Sequence, residues 1–396
     1  MKNKNKSNKY KILLTSLNLL VFLIFAFAIV YSVYFYYKST IQDLDELSKI
    51  NFKESKQEKC EAVRKLDGVC VKKGQEDLWP VAIMIDNHPD ARPQYGLSKA
   101  QLVYDTLVEG GTTRLMAVFA TDEEIEKIGP VRSARPYYLT WAKGINALFG
   151  HSGGSPEALE KIKEYQIIDW EEATSYGPRY FWRSNGKFPP HNLYTSNEKI
   201  AAARIDWELF DKISNYRPWR FYKGISSTLE AADGIYSTLQ SVPHASDGMN
   251  GQDFGTSFSK NSEAGSARVV YIDYSPGVLF DVEYKYNTST QTYLRFQNNQ
   301  PHIDGLNNKQ IGVKNLIIQF VPEEIHLDAK DRLKIETLGQ GKTWVFYHNK
   351  LIKGIWVKRS LKDRTVFYDE NGKEVVFKPG NIWIEVVPGK RKVEVK

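Results

Sequence analysis

PVAIMIDNHP, residues 80–89, is the stretch whose reading decides the fold. Five apolar residues, Val81 to Ile85, lead into the polar run Asp86-Asn87-His88, with a proline at either end. The run shows no alternation and is too short for a helix, so it reads as a strand buried on both faces. Residues 102–108 (LVYDTLV) and 115–120 (LMAVFA) repeat the pattern, joined by EGGTTR at 109–114. Residues 137–143 read as helix and 146–150 as another strand, which ends in the turn His151-Ser152-Gly153-Gly154. Ser155 then caps a helix opened by Pro156, the favoured place for proline. Thr195 with Glu198 makes a capping box for a helix expected to run through Ile213. Strands alternating with helices predict an α/β domain over residues 80–243.

Downstream the pattern changes. Residues 244–266 are rich in Ser, Gly, Asn and Asp and read as a flexible linker. Beyond them strands are expected at 267–274, 279–286, 291–297, 313–320, 343–348, 351–358, 364–369 and 382–387. Asp304-Gly305, His348-Asn349, Asn371-Gly372 and Pro379-Gly380 supply turns between them. Residues 267–396 are therefore expected to form a mostly antiparallel β domain.

Upstream, residues 12–37 contain no charge and are dominated by Leu, Ile, Val, Phe and Tyr. As a helix at ~1.5 Å per residue they span about 39 Å, enough to cross a bilayer with tilt. Tyr31, Tyr34, Tyr36 and Tyr37 crowd the far end as an aromatic belt would. Lys2, Lys4, Lys6, Lys9 and Lys11 precede the span, whereas Asp43, Asp45 and Glu46 follow it. That asymmetry places the tail, residues 1–11, in the cytoplasm and everything after the anchor outside. Ala26-Phe27-Ala28 resembles a signal-peptidase site, but the apolar run continues past it, so an uncleaved anchor is favoured. No cysteine lies near the span to carry a lipid. Residues 38–79 read as a stalk in which Cys60 and Cys70, the chain's two cysteines, are expected to close a short disulfide loop. The net charge is +7, of which the tail supplies five, so 49 basic residues face 47 acidic ones elsewhere. That near balance argues against nucleic acid as a partner. The cell membrane is the expected attachment, with a cell-wall polymer or another envelope protein as the candidate partner. No cofactor is expected.

The densest chemistry lies at GPVRSARP, residues 129–136. Two arginines three residues apart, between prolines that restrict the backbone, suit bidentate recognition of carboxylate, phosphate or sulfate. The rival reading pairs them with Glu109 or Asp105 as internal bridges.

Long stretches of the chain resemble the YerB-like family, catalogued as a domain of unknown function. They are residues 80–119, IGPVRSARPYYLTWA (128–142), HSGGSPEAL (151–159) and PPHNLYTS (189–196). GKTWVFYHNKLIKGIWVK (341–358), RTVFYDENGKE (364–374) and PGNIWIEVVP (379–388) extend the resemblance through the β domain. It implies an extracytoplasmic, membrane-attached protein and assigns no catalytic residue. Relatives of this family carry a lipid-anchoring cysteine near the N-terminus, where this chain has an apolar span.

Polar groups fall at strand ends, which in α/β sheets converge on one crevice. Asp86, Asn87, His88, Arg92, Arg114, Arg132, Ser133, Arg135, Ser152, Ser155, Asn192 and Tyr194 are therefore expected to bind an anionic or carbohydrate ligand of the envelope. Asn185 and His191 help close the crevice. The second reading is a hydrolase or transferase in which Glu109 works with His151 or His191 as acid and base. A third is a purely structural partner-binding protein. Asp86, His88, His151 and His191 could offer metal ligands, but no ligand spacing supports it and no metal is expected. Neither S-x-x-K match, at Ser196 and at Ser257, has a K-T-G partner, and no G-x-S-x-G elbow exists. Trp141, Trp170, Trp182 and Trp219 could stack on sugars, though filling the core is the commoner role.

Overall fold

The apolar runs of residues 81–119 become the middle of a ten-stranded mixed sheet. Its strands, numbered in chain order, are β1 (Val81–Asp86), β2 (Leu102–Leu107), β3 (Thr113–Phe119), β4 (Leu148–His151) and β5 (Ile168–Glu171). They continue as β6 (Asn315–Val321), β7 (Gly339–Tyr347), β8 (Lys350–Lys358), β9 (Val366–Asp369) and β10 (Ile382–Pro388). Side by side they run β9-β8-β7-β6-β10-β2-β3-β1-β4-β5. Every residue of β1, β2 and β3 is buried, as two-faced strands require. The computed structural model describes residues 23–39, 60–210, 214–222, 268–274, 277–389 and 391–396. The expected tail, residues 40–59 of the stalk and the linker at 244–266 lie outside them.

The α/β part is the N-terminal half of residues 60–396. β1 and β4 pair in parallel, as do β4 and β5. Helices α1 (Pro136–Gly144) and α2 (Pro156–Glu164) each begin with proline, and Ser155 Oγ accepts from Ala158 N at the head of α2. Trp141 of α1 lies flat on Tyr104 of β2, ring centroids 4.7 Å apart, and both are buried. Helix α3 (Asn197–Asp206) stops short of Ile213. Trp207 caps it and Glu208 turns left-handed (φ 54°), which ends the helical hydrogen-bond run. Residues 211–213 lie outside the described set. Strand β5 was not legible in the sequence: it is four residues long, and Asp169 and Glu171 break its apolar character.

The C-terminal half is mostly antiparallel. β7 and β8 form a hairpin turned by His348-Asn349, both at positive φ, the conformation a two-residue hairpin needs. A six-stranded sheet contains Val269–Ile272, Val282–Asn287 and Thr292–Gln297, with Val393–Val395 on its flank. The two halves meet inside the large sheet. β10, near the C-terminus, lies parallel to β6 on one side and to β2 on the other, with Glu385 opposite Asp105. Cys60 and Cys70 are disulfide-bonded, and Ala62–Val63 pairs with Cys70–Val71 beside the bridge.

Residues 1–59 form a separate unit. Its described part is one helix over residues 23–39, exposed and apolar along nearly its whole length. Seventeen residues at ~1.5 Å each reach about 25 Å, below a ~30 Å hydrocarbon core. Among the described residues no helix is long and apolar enough to cross a membrane. The expected span of 12–37 is thus represented by its second part alone, because residues 12–22 lie outside the described set.

Candidate functional site

The carboxyl ends of β1, β2, β4 and β5 share one edge of the sheet, and residues 129–136 run along it. Asp86 N donates to Pro130 O, Arg132 N to Met84 O and Val131 N to Leu193 O, each within 2.9 Å. Ala134 N donates to Gly153 O at 2.9 Å and Ser152 N to Arg132 O at 3.1 Å. The segment therefore behaves as an irregular strand bonded to β1, to the 193–195 segment and to the turn after β4. Gly129 permits this course: its φ is 145°, and an added Cβ would lie 2.8 Å from Leu193 O.

At the end of β1, Asp86 is buried. Its Oδ2 lies 2.7 Å from His191 Nδ1 and 3.0 Å from Arg132 Nε. The arginine contact is an ion pair whose Nε–H is not aligned for a hydrogen bond. Asp86 Oδ1 accepts from His88 N at 3.0 Å. The His88 and His191 rings stack with centroids 4.7 Å apart. Asn87 is fully buried, donating to Thr113 Oγ1 and accepting from Gln94.

Beside this group, on β3, lies Arg114, opposite Asp86 in the ladder and donating to Ser133 O at 2.9 Å. Arg135 Nε donates to Glu109 Oε2 at 2.6 Å and its NH2 to Glu109 Oε1, from which Arg114 NH2 is 3.7 Å distant. Burial raises the Glu109 carboxyl, but the Arg135 hydrogen bonds and the Arg114 and Arg135 charges outweigh it and hold the group below its ordinary value. Such an environment favours a standing ion pair over proton transfer at neutral pH. At the ends of β1 and β2 and the start of β3 three guanidiniums, Arg114, Arg132 and Arg135, stand with two carboxylates, Asp86 and Glu109, while Glu171 and Glu172 add acidic charge farther along the edge, at the end of β5. Arg114 and Arg135 are buried, whereas the Arg132 side chain keeps 24% of its surface exposed.

The other expected residues separate from this pair of clusters. His151 is fully buried at the end of β4, with Nδ1 2.8 Å from Gly153 O and Nε2 2.8 Å from Asp169 Oδ1. Ser152 Oγ donates to Glu172, and Ser155 is the cap of α2. Asn192 accepts from Arg183, and Asn185 O accepts from Ser184 Oγ. Tyr194 packs edge-on to Tyr95 with Lys127 Nζ 3.9 Å from its ring centre, and burial raises its hydroxyl to about 12. Arg92 turns away to the other half of the chain, donating to Asn87 O and to Leu279 O, and burial with the Arg295 charge lowers it to about 10. Trp141, Trp170 and Trp219 are buried in the core, and Trp182 is half-buried.

Two clefts lie near the edge. One of about 250 Å³ opens between the starts of α1 and α2, lined by Arg135, Ser155, Glu157, Glu160 and Asp328 among others. With Arg135 paired to Glu109 and Arg332 to Asp328, its remaining charges are the two glutamates, so it does not favour an anion. The second, about 390 Å³, is lined by Arg92 on one side and by Gln297, Asn298 and His302 on the other. Arg132 lines neither. Among the described residues, two groups bring possible metal ligands within 4.8 Å of one another: His88, Asp90 and His191, and separately His151, Asp169 and Glu171.

Sequence reasoning missed the charge network at the seam of the halves. Arg295, fully buried, donates to Asp105 Oδ2 at 2.6 Å, to Tyr284 Oη at 3.0 Å and to Gln297 Oε1 at 2.9 Å, with Glu385 Oε1 3.6 Å away. Tyr274 and Tyr284 both donate to Glu385. Burial, reinforced by the charge of Glu385, pushes the Asp105 carboxyl well above its ordinary value despite Arg295. In the sequence Asp105 was a rival ion-pair partner for Arg132 and Arg135. In the structure it anchors the two halves, and its partners stand about 190 and 280 positions downstream, beyond any local pattern.

These features define a class before they define a relative. The family described as a protein of unknown function (DUF3048) matches with its N-terminal domain over residues 66–208 and its C-terminal domain over 270–384. The chain belongs to this family, the YerB-like one that its sequence resembles. YerB of Bacillus subtilis (strain 168), which carries a provisional lipoprotein designation, is 30% identical over 324 residues, 82% of this chain and 85% of YerB. The crystal structure of YerB from Bacillus subtilis agrees with this fold at a TM-score of 0.65 and 27% identity, covering 84% of this chain and 99% of that one.

Proposed function

We propose that this protein is held at the membrane by its N-terminal apolar segment and binds an anionic envelope polymer along the Arg132 edge outside the cell. The observation that carries the reading is the charge arrangement: three guanidiniums cluster with two carboxylates around residues 129–136, and Arg132 is the most exposed of the three. Asp86 Oδ2 is shared between Arg132 and the His191 ring, so it does not serve the guanidinium alone. Small-molecule sites are enclosed and mostly apolar. The Arg132 face is open, which suits an extended polymer touching a few fixed cations. The helix over residues 23–39 supports anchoring, because a helix apolar all round has no place on a water-exposed surface. The uncharged run at 12–37 is long enough in the sequence for a bilayer.

The test is co-sedimentation of the purified protein with peptidoglycan sacculi, before and after their anionic polymers are stripped with acid. Binding to intact sacculi should fall about tenfold in Arg132→Gln, a loss of ~1.4 kcal/mol, and should vanish on stripped sacculi for both proteins. Equal binding by wild type and variant would remove Arg132 from the interface. Resistance of the full chain to alkaline carbonate extraction from membranes would support the anchor, and release would refute it.

A further inference from the structure

Strands β4 and β5 pair in parallel with His151 opposite Glu171 and Phe149 opposite Asp169. Side chains alternate along a strand, so Asp169 and Glu171 share the face that carries His151. Trp170 faces the other way and packs on Phe181 and Tyr180. His151 is fully buried, and its Nδ1 lies 2.8 Å from the Gly153 carbonyl. A carbonyl can only accept, so Nδ1 bears a proton. Nε2 then points at Asp169 Oδ1, 2.8 Å away, which also only accepts. A neutral imidazole has a single N–H, already committed to Gly153, so a lone pair faces a carboxylate. A cation bound to Nε2 beside the carboxylates, or a second ring proton, removes that conflict.

From this geometry we infer a divalent-cation site formed by His151 Nε2, Asp169 and Glu171. One ligand atom from each residue lies within 4.8 Å of the other two. The donor set, one imidazole nitrogen and two carboxylates, suits Zn²⁺ or Mn²⁺. A ring nitrogen pinned on a backbone carbonyl is the usual outer support of a metal-bound histidine. Two carboxylates beside a neutral ring also carry the charge a divalent ion balances. Asp169 and Glu171 are half-buried on the edge strand of the sheet, which leaves a route for entry and room for water ligands. Of the three, His151 alone was a candidate ligand in the sequence, since Asp169 and Glu171 sit on a strand that the pattern did not reveal. The His88, Asp90 and His191 group is weaker: His88 Nδ1 already accepts from Asp90 N, and its ring is stacked on that of His191. The inference does not rest on the polymer reading.

Full-length protein in detergent, free of any histidine tag and stripped with a chelator, is titrated calorimetrically with Zn²⁺ and, separately, Mn²⁺. One equivalent should bind, and Glu171→Gln and Asp169→Asn should each weaken it at least about tenfold. His151→Gln should abolish binding, but that residue is buried and the variant can fail to fold. Glu171→Gln is half-exposed, and its melting temperature without metal serves as the folding control. Arg132→Gln should bind metal as wild type does, which keeps the outcome separate from the polymer experiment. Absence of saturable uptake would reduce the cluster to a protonated histidine between carbonyl and carboxylate and overturn the site. Uptake unchanged in both carboxylate variants would place the ion elsewhere and overturn it equally.

Discussion

Glu109 and Arg132 show how one edge can carry two kinds of residue. Glu109 is the shared counter-charge of two buried guanidiniums, so Glu109→Gln leaves Arg114 and Arg135 without one. The loss should be about 1–3 kcal/mol of unfolding free energy, read by denaturant titration. A carboxyl held below its ordinary value contributes stability that is complete above its unfolded pKa, about 4.3. That stability disappears as the pH falls through the lower, folded value. Wild-type stability should therefore drop on acidification below about pH 5 more steeply than that of Glu109→Gln. Parallel pH profiles for the two proteins would show that Glu109 does not titrate in this way. Arg132→Gln should cost little by comparison, about 1 kcal/mol or less, because the arginine is partly solvated and Asp86 keeps His191.

At the scale of elements, the segment 129–136 works as a strap rather than a loop. Its backbone bonds to three neighbours, and its side chains follow from that course. Gly129 is where the strap bends, so Gly129→Ala combines an unfavourable φ with a clash on Leu193 O and should cost roughly 2–3 kcal/mol in a thermal or denaturant melt. An unchanged midpoint would mean that the strap relaxes without loss. The sequence marked this segment through its prolines and arginines and located β1 to β4 from runs rich in apolar residues. It missed β5, because IDWE contains as many acids as apolar residues and four residues give no period to read.

Across the whole molecule, β10 carries the C-terminal half into the α/β sheet, and Arg295 locks the seam between Asp105 and Glu385. Arg295→Leu leaves Asp105 and Glu385 buried without the guanidinium between them and should cost about 3–5 kcal/mol. Because one hydrogen-bonded sheet spans both halves, amides of β1 and β7 should exchange with the same opening free energy in native-state hydrogen exchange. Separate values, with β6–β9 opening first, would show that the seam does not couple them.

Local chemistry was enough for the sequence to set the α/β and β-rich halves, most strand positions and the Cys60–Cys70 bridge. Apolar runs, caps, turns and a short cysteine spacing each act over a few residues. Which groups neutralise one another was decided by tertiary structure alone. Glu109 meets Arg135 across 26 positions, Asp86 meets His191 across 105, and Asp105 meets Arg295 across 190. Pairing at those separations depends on strand order and register, and a one-residue slip in register would turn Asp86, Asp105 or Arg295 to the opposite face of its sheet.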